Sequence, residues 1–240
     1  MSVLVVSGTG TGVGKTVVTA AVAALAAARG TSVAVVKPAQ TGVGPGEPGD
    51  LDDVRRLAGV TDLHEHARFP DPLSPAAAAR HGGLPCLDLR ESARQVRALA
   101  EGRGLVVVEG AGGLLVRYDE DGATIADLAR DLAAPVLVVA DPSLGTLNHT
   151  ALTLEAMAHR GVALSGLVLG SWPERPDLAC RSNVRDLEML AARPLSGALR
   201  AGAGGLPAPE FLLAARDGLG PGLGGAFDAA DFRRAQDPAG

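Results

Sequence analysis

The run "GTGTGVGKT" at residues 8–16 constrains this chain more than any other stretch. Apolar "VLVV" precedes it at residues 3–6, and the Ala/Val-rich stretch 16–28 follows it. A short strand, a glycine-rich turn and a helix must therefore succeed one another at the N-terminus. A turn of this kind brings free backbone N–H groups and the positive end of a helix dipole to one point, which suits a phosphate. The usual phosphate loop has five steps from its first glycine to the glycine before lysine, which would require glycine at Thr9, whereas Gly8 stands six steps before Gly14. The Gly-Lys-Thr end is intact, so the extra residue widens only the first half. Gly12 and Gly14 let the backbone approach phosphate, Lys15 reaches the β/γ oxygens, and the Thr16 hydroxyl suits Mg²⁺.

Val/Leu-rich runs at 3–6, 32–36, 105–108, 136–140 and 164–169 alternate with helical patterns at 15–29, 50–58, 89–101, 124–132, 146–160 and 182–192. Gly30, Gly102 and Gly161 sit where helix C-caps belong. This alternation predicts an α/β fold: a single-domain P-loop NTPase-type, mainly parallel sheet with helices on both faces, spanning the 240 residues. With 2% aromatic residues, Ala, Val and Leu must build the core. Residues 42–49 and 68–75 read as surface loops near the active face. Beyond residue 202 the pattern is loose, and a short helix near 226–234 is the one element expected there.

A net charge of -5 with no Lys/Arg run argues against a nucleic-acid partner. The apolar stretch 16–28 is too short to span a bilayer, the start lacks a basic leader, and Cys86 and Cys180 have no metal-type spacing. These features predict a cytoplasmic protein with no membrane segment and unpaired thiols. "HEH" at 64–66 lacks the two intervening residues of a helical zinc motif.

Run 32–36 delivers Lys37 at a strand end, where Pro38 is expected to stop the strand. In a parallel sheet that edge faces the phosphate loop. A second lysine beside Lys15 is costly unless anionic groups lie between them, so it predicts an anionic substrate as well as the nucleotide. Run 105–108 similarly delivers Glu109, followed by Gly110, Ala111 and Gly112, whose small residues permit close approach of a ligand. Magnesium takes one or two carboxylates plus phosphate oxygens, so Glu109 with one aspartate of "GDLDD" would complete a site begun by Thr16. Asp50, Asp52 and Asp53 also fit as ordinary first-turn helix aspartates.

In order along the chain, "GTGTGVGKT", "KPAQTG", "GDLDDVRRLAG", "LSPAAAA", "VEGAGGLLV", "LGTLNHTALT" and "GLVLGSWP" resemble the dethiobiotin synthetases, the ATP-dependent carboxylases of biotin synthesis. That family's phosphate loop carries the same extra residue. The resemblance implies ring closure of 7,8-diaminononanoate with CO₂ and a nucleoside triphosphate, through a carbamate and its mixed anhydride with phosphate. It implies Lys37, Lys15 and Thr11 as catalytic residues, Thr41 as a diamine contact, and Thr16, Asp50 and Glu109 around Mg²⁺. Nucleotide contacts are implied for Gly12, Val13, Gly14, Lys15, Thr16 and Val17, and for Asp50 and Glu109 to Gly112. Gly170, Ser171, Arg200, Ala201 and Gly202 are implied at the base. Gly145, Thr146, Leu147 and Asn148 match the segment that a neighbouring subunit contributes to the substrate carboxylate, so a homodimer with shared sites is implied.

Two positions depart from the family. Gly10 stands where aspartate is frequent, and Gly170 stands where many members have an asparagine that reads adenine. The second departure predicts weak base selectivity, with CTP or another triphosphate serving as well as ATP, and a sharper preference for ATP once asparagine is restored at 170. A regulatory or partitioning ATPase of the same fold is the alternative; such switches carry a lysine five residues before the loop lysine, where this chain has Gly10. A corrinoid-pathway amidotransferase would need a glutaminase domain, for which 240 residues leave no room.

Overall fold

The computed structural model describes residues 2–236. Seven strands, β1 (Ser2–Gly8), β2 (Val33–Thr41), β3 (Leu63–Phe69), β4 (Leu105–Gly113), β5 (Val136–Ala140), β6 (Leu164–Trp172) and β7 (Gly197–Arg200), form one parallel sheet in the order β3-β2-β4-β1-β5-β6-β7. The helices are α1 (Lys15–Ala28), α2 (Asp50–Ala58), α3 (Pro75–Gly82), α4 (Leu89–Gly102), α5 (Ile125–Asp131), α6 (Thr146–His159), α7 (Leu178–Ala191), α8 (Ala208–Gly218) and α9 (Ala229–Gln236).

The central strands are buried along their length because both sheet faces are covered. One core layer lies under α1, α2 and α8 and includes Val6, Val18, Leu57 and Phe211; the other lies under α3 to α7 and includes Val5, Phe69, Leu128 and Leu187. The apolar runs, α2 and β5 stand where the sequence pattern places them. Gly30 and Gly161 take positive φ after their helices, whereas Gly102 is the last residue of α4 and does not.

Four elements escape the pattern. β3 is an edge strand whose polar "LHEHARF" has no apolar run, and β7 is only four residues long. α3 begins at Pro75, where proline opens a helix rather than belonging to a loop. α8 buries Phe211 and Ala215 against α1, so residues 208–218 are an integral part of the core layer. The short C-terminal helix lies at Ala229–Gln236, with Phe232 edge-on to Trp172 at 4.9 Å.

One further difference opens a crevice at the sheet edge. β2 does not stop at Pro38 but continues to Thr41, paired only with β3. Pro38 is tolerated because the registered pairs step from Lys37↔Glu65 to Ala39↔Ala67 and require no N–H from it. Pairing with β4 ends at Val36↔Val108. The two strands part immediately before Lys37 and Glu109, at the C-terminal sheet edge where ligands of α/β proteins bind.

Candidate active site

The loop between β1 and α1 wraps the start of α1, with Gly14 at φ 95 as the N-cap residue. The glycine is required twice, since a Cβ there would also lie 2.7 Å from the Gly170 carbonyl oxygen. Behind it, a Cβ on Gly170 would fall 2.0 Å from the Val13 carbonyl oxygen and 2.6 Å from Val139 Cγ1. Gly170 is therefore the floor on which the phosphate loop rests. An asparagine cannot simply be restored at this position, because any side chain must displace Val13.

A cavity of about 380 Å³ opens at the parting of β2 and β4. Thr11, Gly12, Gly14, Lys15, Thr16 and Val17 line it from the loop and α1; Lys37 and Thr41 line it from β2, Asp50 from α2, and Glu109, Ala111 and Gly112 from β4. Val13 is buried beneath the loop, and Gly110 is buried behind Glu109.

Lys37 is 3% exposed and spends its three donors on Asp50 Oδ2 at 2.5 Å, Glu109 Oε1 at 2.7 Å and the Gly110 carbonyl at 3.3 Å. Burial opposes the charge on Lys37, but Glu109 and Asp50 outweigh it and hold the ammonium protonated above the ordinary lysine range. The anions beside Lys37 are the protein's own carboxylates, Asp50 and Glu109, so its position does not by itself call for an anionic substrate. Glu109, fully buried, accepts from Thr16 Oγ1 at 2.8 Å and from Lys37 on the same oxygen, which leaves Oε2 without a partner.

Lys15 is the undercompensated cation. Its ammonium donates to the Gly10 carbonyl at 2.8 Å, and burial followed by repulsion from Lys37 lowers its pKa to about 8. A buried lysine so placed favours an incoming anion.

The three aspartates separate by role. Asp50 pairs with Lys37, Asp52 accepts from the Gly49 amide at 2.8 Å and caps α2, and Asp53 pairs with Arg56 at 2.7 Å. Arg56 also donates to the Gly204 carbonyl at 2.7 Å, which ties α2 to the loop after β7.

Two contributors were not legible as site residues. Buried Gln40 lines the cavity, and its Oε1 accepts from the Asp50 amide at 2.9 Å, fixing the start of α2; the signal was a polar side chain following Lys37 at the end of an apolar run. Tyr118 is fully buried, and its phenol oxygen accepts from the Ala111 amide at 2.7 Å. Burial pushes that phenol up to about 12, so it stays protonated.

The remaining expected residues lie apart from this cavity. Arg200 and Ala201 line a separate cavity of about 480 Å³ with Trp172, Pro173 and Gln236. Gly202 begins the loop whose Gly204 meets Val17 of α1, and Ser171 lies beside Gly170 near the end of β6. Gly145, at φ 98, caps α6, where Thr146 is buried, Leu147 is half-buried and Asn148 is exposed. Beside them Leu144 is 87% exposed. Among the described residues, no group of three or more His, Cys, Asp or Glu side chains is arranged to hold a metal, and no helix is long and apolar enough to cross a membrane. Cys86 and Cys180 are free.

Residues 2–201 match a family model described as an AAA domain. The chain is 68% identical over 234 residues to the ATP-dependent dethiobiotin synthetase BioD of Parafrankia sp. (strain EAN1pec), with 98% of each chain covered. It is 56% identical over 235 residues to the ATP-dependent dethiobiotin synthetase BioD of Streptomyces avermitilis, covering 98% of this chain and 99% of that one. Among solved structures, the cell division ATPase MinD of Pyrococcus furiosus resembles it with a TM-score of 0.55 and 19% identity, covering 98% of this chain and 99% of that one. At that identity the likeness shows a shared fold alone.

Proposed function

The chain belongs to the ATP-dependent dethiobiotin synthetase family, and on that premise we propose how its own residues carry the reaction. It is an ATP-dependent ligase with a nucleoside triphosphate as cosubstrate. The other substrates we assign are 7,8-diaminononanoate and CO₂. One amine of the diamine adds to CO₂ and loses a proton, giving a carbamate. A carbamate oxygen attacks the γ-phosphorus and the nucleoside diphosphate leaves. The second amine then attacks the carbamoyl carbon, phosphate departs, and the ureido ring closes.

Each step creates or moves negative charge, and the site meets it with cations held in low dielectric. Lys15 leaves the Gly10 carbonyl for the β/γ oxygens, while the loop amides from Gly12 to Thr16 hold the phosphates at the start of α1. Lys37, fixed between Glu109 and Asp50, is aimed at the carbamate and the transferring phosphoryl group. Thr11 and Thr41 line the same cavity and orient the carbamate and the diamine.

The donor set also fits Mg²⁺: the Thr16 hydroxyl, the Asp50 carboxylate and Glu109, whose Oε2 is buried without a partner, stand together as hard oxygen ligands. When bound there with the triphosphate, the ion would neutralise phosphate charge.

Base recognition is assigned to backbone groups of Gly170, Ser171, Arg200, Ala201 and Gly202, with no asparagine fork at 170 to single out adenine. The start of α6, with exposed Asn148 beside the exposed Leu144, is assigned to the substrate carboxylate of the other subunit in a homodimer. We assign the enzyme to the cytoplasm, in keeping with its free thiols.

The observation that carries the reading is the convergence of Lys15, Thr16, Lys37, Asp50 and Glu109 on one cavity. The test is dethiobiotin formation from diaminononanoate, bicarbonate, Mg²⁺ and ATP, with each component omitted in turn. ATP hydrolysis that proceeds equally without the diamine would overturn the reading in favour of a regulatory switch.

A further inference from the structure

We propose that Tyr118 is a positioning residue for Lys37, acting through the single peptide unit that joins Gly110 to Ala111. The carbonyl of that peptide accepts from Lys37 Nζ at 3.3 Å, and its N–H donates to the Tyr118 phenol oxygen at 2.7 Å. A peptide is a rigid plane, so the Gly110 oxygen and the Ala111 hydrogen turn together. Holding the N–H against the phenol therefore holds the carbonyl against the ammonium.

The phenol is itself fixed. Tyr118 is fully buried, its amide donates to the Ala123 carbonyl at 2.8 Å, and an antiparallel bridge between Arg117 and Thr124 closes the loop that carries it. A phenylalanine would fill the same apolar space, so packing alone does not call for the hydroxyl. The hydroxyl accepts from a buried backbone N–H, whose loss of a partner would be costly. Of the three acceptors of Lys37, Asp50 and Glu109 are the carboxylates assigned above to the metal, whereas the Gly110 carbonyl is a neutral backbone group that is not among the assigned metal ligands. It is the acceptor that stays in place while charge moves through the site.

The inference rests on the assignment of Lys37 to the reaction, and the experiment separates the two. Tyr118→Phe is compared with the wild type for dethiobiotin formation, and the Ala111 amide and Lys37 Nζ resonances are followed by NMR. Loss of one neutral hydrogen bond should lower kcat roughly three- to tenfold and leave KM for ATP and for the diamine within about twofold. The Ala111 amide proton should move upfield and the Lys37 Nζ resonance should shift, which loss of packing elsewhere would not cause. Unchanged kcat, or a Lys37 resonance that stays in place once the Ala111 bond is broken, would overturn the positioning role. A wild-type enzyme that forms no dethiobiotin would instead remove the functional reading, and the Lys37 resonance would still decide this one.

Discussion

Lys37 Nζ and Glu109 Oε1 lie 2.7 Å apart where β2 and β4 separate, with the two side chains 3% and 0% exposed. Among the described residues Glu109 has no other cation at this distance, so removing Lys37 strands its buried carboxylate, whereas Lys37 keeps Asp50 at 2.5 Å if Glu109 is lost.

Lys37→Met should therefore affect both stability and turnover. Breaking a buried pair from one side destabilises by about 3–5 kcal/mol, because the carboxylate is left uncompensated. Thermal denaturation should show a lower Tm, and ring closure should fall by roughly 10²–10³. The double variant Lys37→Met/Glu109→Gln should recover much of the Tm but none of the activity. Wild-type turnover in the single variant, within about threefold, would remove Lys37 from the reaction.

Thr16→Val deletes the hydroxyl that shares Glu109 Oε1 with Lys37. The Mg²⁺ concentration for half-maximal activity should rise roughly tenfold or more, with a smaller change in nucleotide affinity when Mg²⁺ is left out. The check is a Mg²⁺ titration of activity beside nucleotide binding in chelator. An unaltered Mg²⁺ dependence would show that this hydroxyl is no ligand.

Lys15 predicts a pH dependence of nucleotide binding. Its pKa is lowered from 10.5 to about 8 by burial and then by Lys37, and a bound triphosphate must raise it again. Between the free and bound pKa values the complex holds more protons than the free enzyme. Binding therefore takes up protons, and affinity falls as pH rises above about 8. Calorimetry at that pH in buffers of different ionisation enthalpy should detect uptake of about half a proton per site. No uptake would mean that Lys15 remains charged in the free enzyme.

Gly170 predicts two separable results. In the wild type, kcat/KM for ATP, CTP, GTP and UTP should lie within about a hundredfold of one another, since no side chain at 170 reads the base. Gly170→Ala should weaken all four triphosphates alike, because the added methyl meets the Val13 carbonyl beneath the loop. A strong wild-type preference for ATP would place base recognition in side chains outside this set.

The proposed sharing of the site between subunits predicts complementation between inactive subunits. Asn148→Asp puts a negative charge at the start of α6, where the substrate carboxylate of the other subunit is assigned. Mixed with Lys37→Met under conditions that exchange subunits, it should restore about a quarter of wild-type activity, because half the dimers would hold one intact site of two. A monomer in sedimentation, or no recovery on mixing, would place that segment outside the site.

The order of apolar runs determined the parallel sheet, and the "GTGTGVGKT" run determined the strand–loop–helix turn proposed to hold phosphate, because both are local properties of the chain: period, glycine content and the position of a helix start. Lys37 and Glu109 were legible for the same reason, as charges at the ends of apolar strands. Local pattern said nothing of β3 and α8, whose places depend on the neighbours they pack against. It left Asp50, Asp52 and Asp53 equivalent until tertiary contacts gave them to Lys37, the α2 cap and Arg56. Gly170 read as a missing side chain and proved to be a required one, since the distance to Val13 is set by a strand and a loop more than 150 residues apart in sequence. Tyr118 carries no sequence signal of a role and reaches Lys37 only because β4 folds its Gly110–Ala111 peptide between them. Spacing along a chain carries the period of its own strands and helices; which side chain meets which across the sheet edge is decided by packing, and that exists only once the core has closed.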